Sequence, residues 1–320
     1  MSGSYSKINY RLRPAKAVER KIICDSLREL SAFGDVATYR YIGFGSTYFS
    51  DFILFHKFLH IEDMISIEKD KHAKERFEYN KPFGCIQMKY GDSSDIISTL
   101  EWSKKSIVWL DYDSPLRQSI LDDIDSLIGN LVPGSVLTVT VSAEPERSSN
   151  EDVKPDEYRM QKLKEEFSNE NIPFNIKPID LTGKRLAKLY KRMIDNQLKQ
   201  SIANFNSARP SKEKIEYKQI FHFNYADGAR MLTIGWLLFD KNSSAVVDKC
   251  QFNKHFNTKD IDTPYIIEVP NLTNKEVQYL DSKMPSIDCD SIERLCIPLK
   301  DIKNYAEIYK YFPSFVERLM

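Results

Sequence analysis

The chain has no run of about 18 apolar residues, the length a helix needs to cross a bilayer. The longest candidate, Phe49 to Leu59, is broken by Ser50, Asp51, His56 and Lys57. No membrane partner is expected. The stretch Met1 to Tyr10 lacks the apolar centre of a secretory signal, so a cytoplasmic location is expected. Cysteine is scarce and odd in number. Cys24, Cys85, Cys250, Cys289 and Cys296 form no CxxC pair, which argues against a disulfide framework or a zinc knuckle and for reduced, mostly buried thiols. With only 11 Gly and 14 Pro in 320 residues, collagen-like and linker-dominated sequence is excluded. Net charge of one sign is also missing. The 46 basic side chains balance 46 acidic ones, so bulk electrostatic coating of nucleic acid is not expected, while local basic patches remain open.

What is present is core-forming material: 42% apolar and 12% aromatic residues, enough to exclude a disordered chain. Pro14 to Leu30 reads as a helix with a basic approach and one apolar stripe, Val18, Ile22, Leu27 and Leu30. An alternation of short strands and helices follows. Strands are expected at 37–42, 63–67, 85–90, 106–110 and 135–141, with helices between them. Ser114-Pro115 reads as an N-cap followed by proline at the first helical position. Alternating strands and helices imply crossover connections and a parallel sheet with helices on both faces. Beyond residue 150 the rhythm stops. A helical insertion is expected, ending in an amphipathic helix through Leu186, Leu189, Tyr190, Met193, Ile194, Leu198 and Ile202. Asp227-Gly228 between two strand-like runs signals an antiparallel hairpin. The expected organisation is an N-terminal basic helical lid (1–34), an α/β core (35–145), a helical insertion or cap (146–215), a terminal hairpin of the core sheet (216–244) and a small C-terminal extension (245–320).

Two classes of protein place a glycine turn after the first strand of such a sheet. Dinucleotide dehydrogenases use G-x-G-x-x-G, whose third glycine lets the helix pack closely. Here Gly43 and Gly45 fit, but the third position is Tyr48. Rossmann-like methyltransferases that use S-adenosylmethionine (SAM) need only a loose glycine turn and end their sheet in an antiparallel hairpin, and the sequence fits this second fold class. Gly43, Phe44, Gly45 and Ser46 are then the expected turn against the cofactor. Glu68, with Lys69 behind it, follows the second strand, where a carboxylate can accept from both ribose hydroxyls. Asp92 and Ser93 follow the third strand, at the adenine; a rival role for Asp92 is to cap the helix that starts there. Asp111 ends the fourth strand, where the methyl group would be presented, and Asp113 lies two residues on.

A sulfonium methyl is already activated, so alignment supplies much of the rate. A base helps when the acceptor is a hydroxyl or amine, and Asp111 and Asp113 are the candidates. The same pair can alternatively hold Mg²⁺, the less favoured reading. Arg11, Arg13 and Lys16 are candidates to pair with the SAM carboxylate or an anionic substrate. The histidines, His56, His60, His72, His222 and His255, show no metal-binding spacing beyond the i, i+4 pair His56 and His60. Three further functions compete with methyl transfer to an unidentified small acceptor. One is methylation of nucleic acid, favoured by Lys184, Arg185, Lys188, Lys191 and Arg192 but lacking an Asn/Asp-Pro-Pro-Tyr motif at Asp111-Tyr112-Asp113-Ser114-Pro115. Another is a non-catalytic SAM-binding assembly protein. The third, a nicotinamide oxidoreductase, is disfavoured by Tyr48.

The sequence also resembles the bacterial family labelled "putative O-methyltransferase". The resemblance rests on Tyr10-Arg11-Leu12-Arg13-Pro14-Ala15-Lys16, Tyr41-Ile42-Gly43-Phe44-Gly45-Ser46, Ser66-Ile67-Glu68, Val108-Trp109-Leu110-Asp111-Tyr112-Asp113 and Tyr311-Phe312-Pro313. It spans nearly the whole chain and implies SAM-dependent methylation of an unspecified acceptor. One departure from the wider methyltransferase pattern is Tyr41, at the place often held by an acidic residue two positions before the first glycine.

Overall fold

The apolar runs come together as one eight-stranded sheet in the computed structural model, which describes residues 13–148, 153–256, 262–288 and 297–313. The strands are β1 (Arg40–Gly43), β2 (Asp63–Glu68), β3 (Ile86–Tyr90), β4 (Ser106–Pro115), β5 (Val136–Ser142), β6 (Ile215–Ala226), β7 (Arg230–Asp240) and β8 (Tyr265–Ile267), in spatial order β3-β2-β1-β4-β5-β7-β6-β8. The first five pair in parallel, so their C-terminal ends share one edge. The direction of winding reverses between β1 and β4, which opens a crevice at that edge. β7 enters antiparallel between β5 and β6. The sheet does not end at this hairpin as expected: β8, from the C-terminal extension, adds in parallel beside β6.

Successive side chains of a strand point to opposite faces, and both faces here are apolar. Tyr41, Met64, Ile107 and Trp109 lie in one core, Ile42, Ile65, Val108 and Leu110 in the other. The first core is closed by α1 (Pro14–Leu27), α2 (Ser50–Leu59) and the short α8 (Ser244–Val247). The second is closed by α4 (Ser93–Thr99), α5 (Gln118–Asn130) and α7 (Gly183–Ser207), while α3 (Lys74–Asn80) links β2 to β3. α6 (Pro155–Glu166) lies in the excursion before α7 and adds Leu163 to that core. α9 (Asn274–Asp281) and α10 (Leu299–Ile308) share a third, small core of Leu280, Ile297, Ile302 and Tyr305. Among the described residues no helix is long and apolar enough to cross a membrane.

Several expectations change on this frame. α1 is a layer of the core instead of a lid, because Val18, Ile22 and Leu27 are fully buried against the sheet. α7 is the crossover that returns the chain from β5 to β6, with its stripe on α5 and the sheet; only α6 and its flanking turns project as an insertion. β1 starts at Arg40, after a 3₁₀ turn over Val36–Thr38. Ser114 and Pro115 extend β4, Pro115 pairing with Ser142 past an irregularity, and α5 starts at Gln118. The Glu166 carboxylate, from the end of α6, accepts the Gln118 amide at 3.0 Å. An incoming side chain thus satisfies a helix terminus that lacks a local cap. The Asp227 carboxylate in the hairpin turn does the same for α1, accepting from the amides of Ala15 and Lys16 at 3.0 and 2.8 Å. Of the two hairpin residues only Gly228 has positive φ.

Candidate active site

A cleft of about 760 Å³ opens at the C-terminal ends of β1, β2, β3 and β4. Its floor is the turn after β1. Glycine is required there by packing: a Cβ on Gly43 would fall 2.5 Å from the Tyr41 hydroxyl, and one on Gly45 2.5 Å from the Phe49 ring. Gly45, Phe44 and Ser46 line the cleft, but Gly43 does not; it makes room beneath the turn. Ser46 and Phe49 take left-handed backbone conformations, an unfavourable state for residues with a Cβ that is held by surrounding contacts. The Gly45 amide donates to Ser66 Oγ at 3.1 Å, and the Ser46 amide donates to Glu68 Oε1 at 2.6 Å. The first and second strand ends are thereby tied together. Burial pushes the Glu68 carboxyl up from 4.5 to about 7, against the opposing effect of the Ser46 amide.

Asp92 and Lys69 face each other across the β2–β3 rim at 2.5 Å, both largely exposed. Such a pair contributes little to stability and can open for a ligand. Asp92 occupies the N-cap position of α4, but its side chain makes no cap hydrogen bond. Ser93 lines the cleft, and its hydroxyl is engaged by a neighbouring carboxylate. It donates to Asp123 at 2.5 Å, joined there by Ser94 Oγ at 2.6 Å and Tyr112 Oη at 2.5 Å. This buried carboxylate of α5 fixes the first turn of α4 against the end of β4. Tyr112 in turn meets Phe44 edge to face at 5.1 Å, giving the cleft an aromatic wall.

Asp111 reaches the cleft at the end of β4, and Asp113 lies beside it, exposed. Lys16 does not reach the cleft as expected. Its ammonium is wholly buried, 2.7 Å from Asp111 Oδ1 and 2.7 Å from Glu19 Oε2, with the Trp109 ring centre 4.5 Å away. A fully buried ammonium must be paired, and two carboxylates satisfy it, so Lys16 positions Asp111. Glu19 also accepts from Thr233, which hydrogen-bonds Thr140 at 2.8 Å, and Thr140 accepts from Trp109 Nε1 at 3.0 Å. Arg13 lines the rim and lies 4.0 Å from Asp227. Arg11, Cys289 and Cys296 fall outside the described residues.

Two cleft residues, Arg20 and Asp51, escaped the sequence reading, as did Asp123 behind the cleft wall. Tyr41 Oη donates to Asp51 from beneath the turn, so an acid does stand at this place, supplied by α2. Burial raises the Asp51 carboxyl, while the nearby Arg20 charge lowers it. The available signal was polarity in the wrong place. Asp51 shares the buried face of α2 with Phe52, Phe55 and Leu59, and Asp123 sits among Ile120, Leu121, Ile124 and Leu127 on the buried face of α5. Among the described residues no three His, Cys, Asp or Glu side chains are grouped to hold a metal ion, and Asp111, one of the two carboxylates of the alternative Mg²⁺ reading, pairs with the Lys16 ammonium. His56 Nδ1 lies 2.9 Å from the Ile61 carbonyl, while His60 is exposed.

The cleft is lined by six carboxylates (Asp51, Glu68, Asp70, Asp92, Asp111, Asp113) and four cationic side chains (Arg13, Arg20, Lys69, Arg117). Its formal charge of −2 suits a cationic ligand.

No curated protein sequence matches the chain. Similar solved structures include Trm1 from Pyrococcus horikoshii with S-adenosyl-L-methionine, 12% identical with a TM-score of 0.49, covering 78% of this chain and 61% of that one. TYW2 from M. jannaschii with AdoMet is 16% identical with a TM-score of 0.38, covering 73% and 80%. An arsenic(III) S-adenosylmethionine methyltransferase from Chlamydomonas reinhardtii is 13% identical with a TM-score of 0.39, covering 64% and 65%. The chain thus spans about three fifths of the Trm1 chain, and these similarities are too distant to carry an assignment of substrate. A family model matches residues 8–320, nearly the whole length, and by it the chain belongs to the family described as "Putative O-methyltransferase".

Proposed function

We propose that the protein is a SAM-dependent methyltransferase acting on a hydroxyl acceptor. The observation that carries this reading is Glu68, a half-buried carboxylate at the tip of β2, anchored by the Ser46 amide and facing a cleft at the switch point of a parallel sheet. The residues present fit the cofactor. Its net positive charge meets a cleft of formal charge −2, and about 760 Å³ is within the usual range for ligand sites, roughly 300–1,000 Å³. Glu68 would accept from the ribose hydroxyls. Phe44, Ile67 and Tyr112 would flank the adenine, with Asp92 released from Lys69 to accept from its amino group.

When bound, SAM supplies an electrophilic methyl group that leaves with its C–S electrons going to sulfur. The chain's own part is positioning. Lys16 holds one oxygen of Asp111, leaving the other to accept a hydrogen bond from an acceptor hydroxyl and orient its lone pair. Asp113, exposed two residues away, is the residue able to take the hydroxyl proton without breaking a buried ion pair. Both carboxylates are thus assigned to the acceptor. Transfer of tritium from methyl-labelled SAM into fractionated small-molecule extract tests the activity. Binding of S-adenosylhomocysteine without transfer into any fraction would favour a non-catalytic SAM-binding protein.

A nucleic-acid acceptor is the second reading. Lys184, Arg185, Lys188, Arg192 and Lys199 are all exposed on α7, and the exposed face between them carries no acid. Lys191, included in that patch on sequence, is buried and held by Asp195 at 2.5 Å. Label appearing in extract RNA or DNA, with binding that weakens steeply as salt rises, would select this reading.

A further inference from the structure

Along α7, Lys184, Arg185, Lys188, Arg192 and Lys199 are exposed, and the only other exposed residue between Lys184 and Lys199 is Asn196. Among the described residues none of these five cations has a carboxylate within 4.0 Å. Arg185, Lys188, Arg192 and Lys199 follow helical spacing and make one row on one face. From Lys184 to Lys199 the row is about 22 Å long. Like charges at this spacing repel and weaken a helix, while the chain as a whole has equal numbers of bases and acids. The row is therefore a local excess of positive charge facing solvent. Neighbouring acids are taken: Asp195 by Lys191 at 2.5 Å, and Glu268, near enough to feel the Lys184 charge, by Lys300 at 2.7 Å.

An aromatic side chain lies close to the start of this row. Phe174 is 95% exposed, in the segment that leads from α6 to α7. The 3₁₀ turn Pro178–Leu181 follows it, and Leu181 shares the second core and a small cavity with Leu186 of α7. Phe174 precedes that turn by four residues, so it lies within about 14 Å of it. A bare ring near a row of unpaired cations is the combination that single-stranded nucleic acid uses, with phosphates on the cations and a base on the ring. The first turns of α7 also lie behind the acceptor end of the cleft. Leu186 and Tyr190 line the small cavity with Arg117, and Arg117 lines the cleft. A lipid surface fits less well. A basic helix on a bilayer inserts its apolar face, and here that face is buried against α5 and the sheet.

We propose that this row and Phe174 form a docking surface for single-stranded nucleic acid. The inference rests on the nucleic-acid reading above and adds the place and form of the partner. The strand lies along α7 with its phosphates on the five cations, stacks one base on Phe174, and runs toward the acceptor end of the cleft.

The test is fluorescence anisotropy of the full chain with labelled oligouridylate and oligothymidylate across a salt series. Five phosphate contacts on a single strand give a slope of log affinity against log salt of about −3.5, so binding should weaken about 100-fold between about 50 and 200 mM salt. Lys188→Gln and Arg192→Gln should each reduce the slope by about 0.7. Phe174→Ala should weaken binding roughly 5- to 150-fold and leave the slope unchanged, a pattern that loss of charge does not produce. Lys104→Gln removes an exposed cation at the N-terminal edge of the parallel strands and should change nothing. All four side chains are exposed, and thermal melts check that the variants stay folded.

The proposal is overturned if the oligonucleotides do not bind, or if the α7 variants leave affinity and slope unchanged. It is also overturned if heparin, anionic vesicles or a duplex bind as tightly as the single strand while Phe174→Ala has no effect. Transfer of label from SAM separates the two readings. If the strands bind with the expected pattern and no label enters extract RNA or DNA, nucleic acid is not the acceptor and the surface stands. If label enters nucleic acid while the α7 and Phe174 variants bind normally, the acceptor reading stands and the surface falls.

Discussion

Replacing Glu68 with glutamine should make the protein more stable and worse at binding its cofactor. The carboxyl titrates near 4.5 when exposed and near 7 in the folded protein, because burial disfavours its charge. A raised folded value means the neutral form is favoured by folding. That contribution is fully present below about pH 4.5 and is lost as pH rises through 7. At 1.36 kcal/mol per pH unit, an ionised Glu68 at pH 8 costs about 3 kcal/mol relative to the neutral group. Glutamine has nearly the same shape, carries no charge at any of these pH values, and keeps an oxygen for the Ser46 amide. Denaturant unfolding of both proteins without ligand, from pH 5 to pH 8, isolates the effect as a difference. The variant should gain stability over wild type steadily, reaching about 3 kcal/mol at the alkaline end. Binding should move the other way. Ribose hydroxyls donate to the ionised carboxylate, so wild-type affinity for S-adenosylhomocysteine should rise between pH 6 and 8 with proton release. In the variant it should be flat in pH and weaker by tenfold or more at pH 8. Parallel stability curves, or an unchanged pH profile of binding, would refute the reasoning.

Three other outcomes follow from particular contacts. Asp111→Asn removes the partner charge of a fully buried ammonium, so turnover should fall while S-adenosylhomocysteine affinity stays within a few fold. The fall should stay within about tenfold, as for a positioning group; a drop of roughly 10²–10⁴ would make Asp111 the general base and overturn the role given to Asp113. Asp123→Ala orphans three hydroxyls, two on α4 and one on β4, and each lost bond should cost about 1 kcal/mol; thermal melts should show a clear loss even without ligand. Ile22→Ala opens a cavity between α1 and the sheet, where Ile22 is fully buried. It should cost about 2–5 kcal/mol in denaturant unfolding, whereas a helix that was only a lid would tolerate it.

The sequence alone determined the class of fold and the strand ends at which to look. Strand and helix periodicities are local, and a parallel sheet leaves its signature in continuous apolar runs such as Ile107-Val108-Trp109-Leu110. Glu68 and Asp111 stood out because each closes such an apolar run, and Asp92 because it follows the glycine after β3; all three face the cleft. What tertiary structure decided is which polar side chains find each other. Lys16, a surface base by composition, is wholly buried because Asp111, 95 residues away, and Glu19 neutralise it together. Ser114-Pro115 has the local chemistry of a helix start but stays extended, since it pairs with β5 and Glu166 supplies the cap three residues later. Arg20 and Asp51 were hidden for the same reason. Each reads as an ordinary charge on its own helix, and their relation exists only once α1 and α2 close on one face of the sheet. Burial sets the worth of a charge, and burial is a property of the assembled fold, written in no short stretch of the chain.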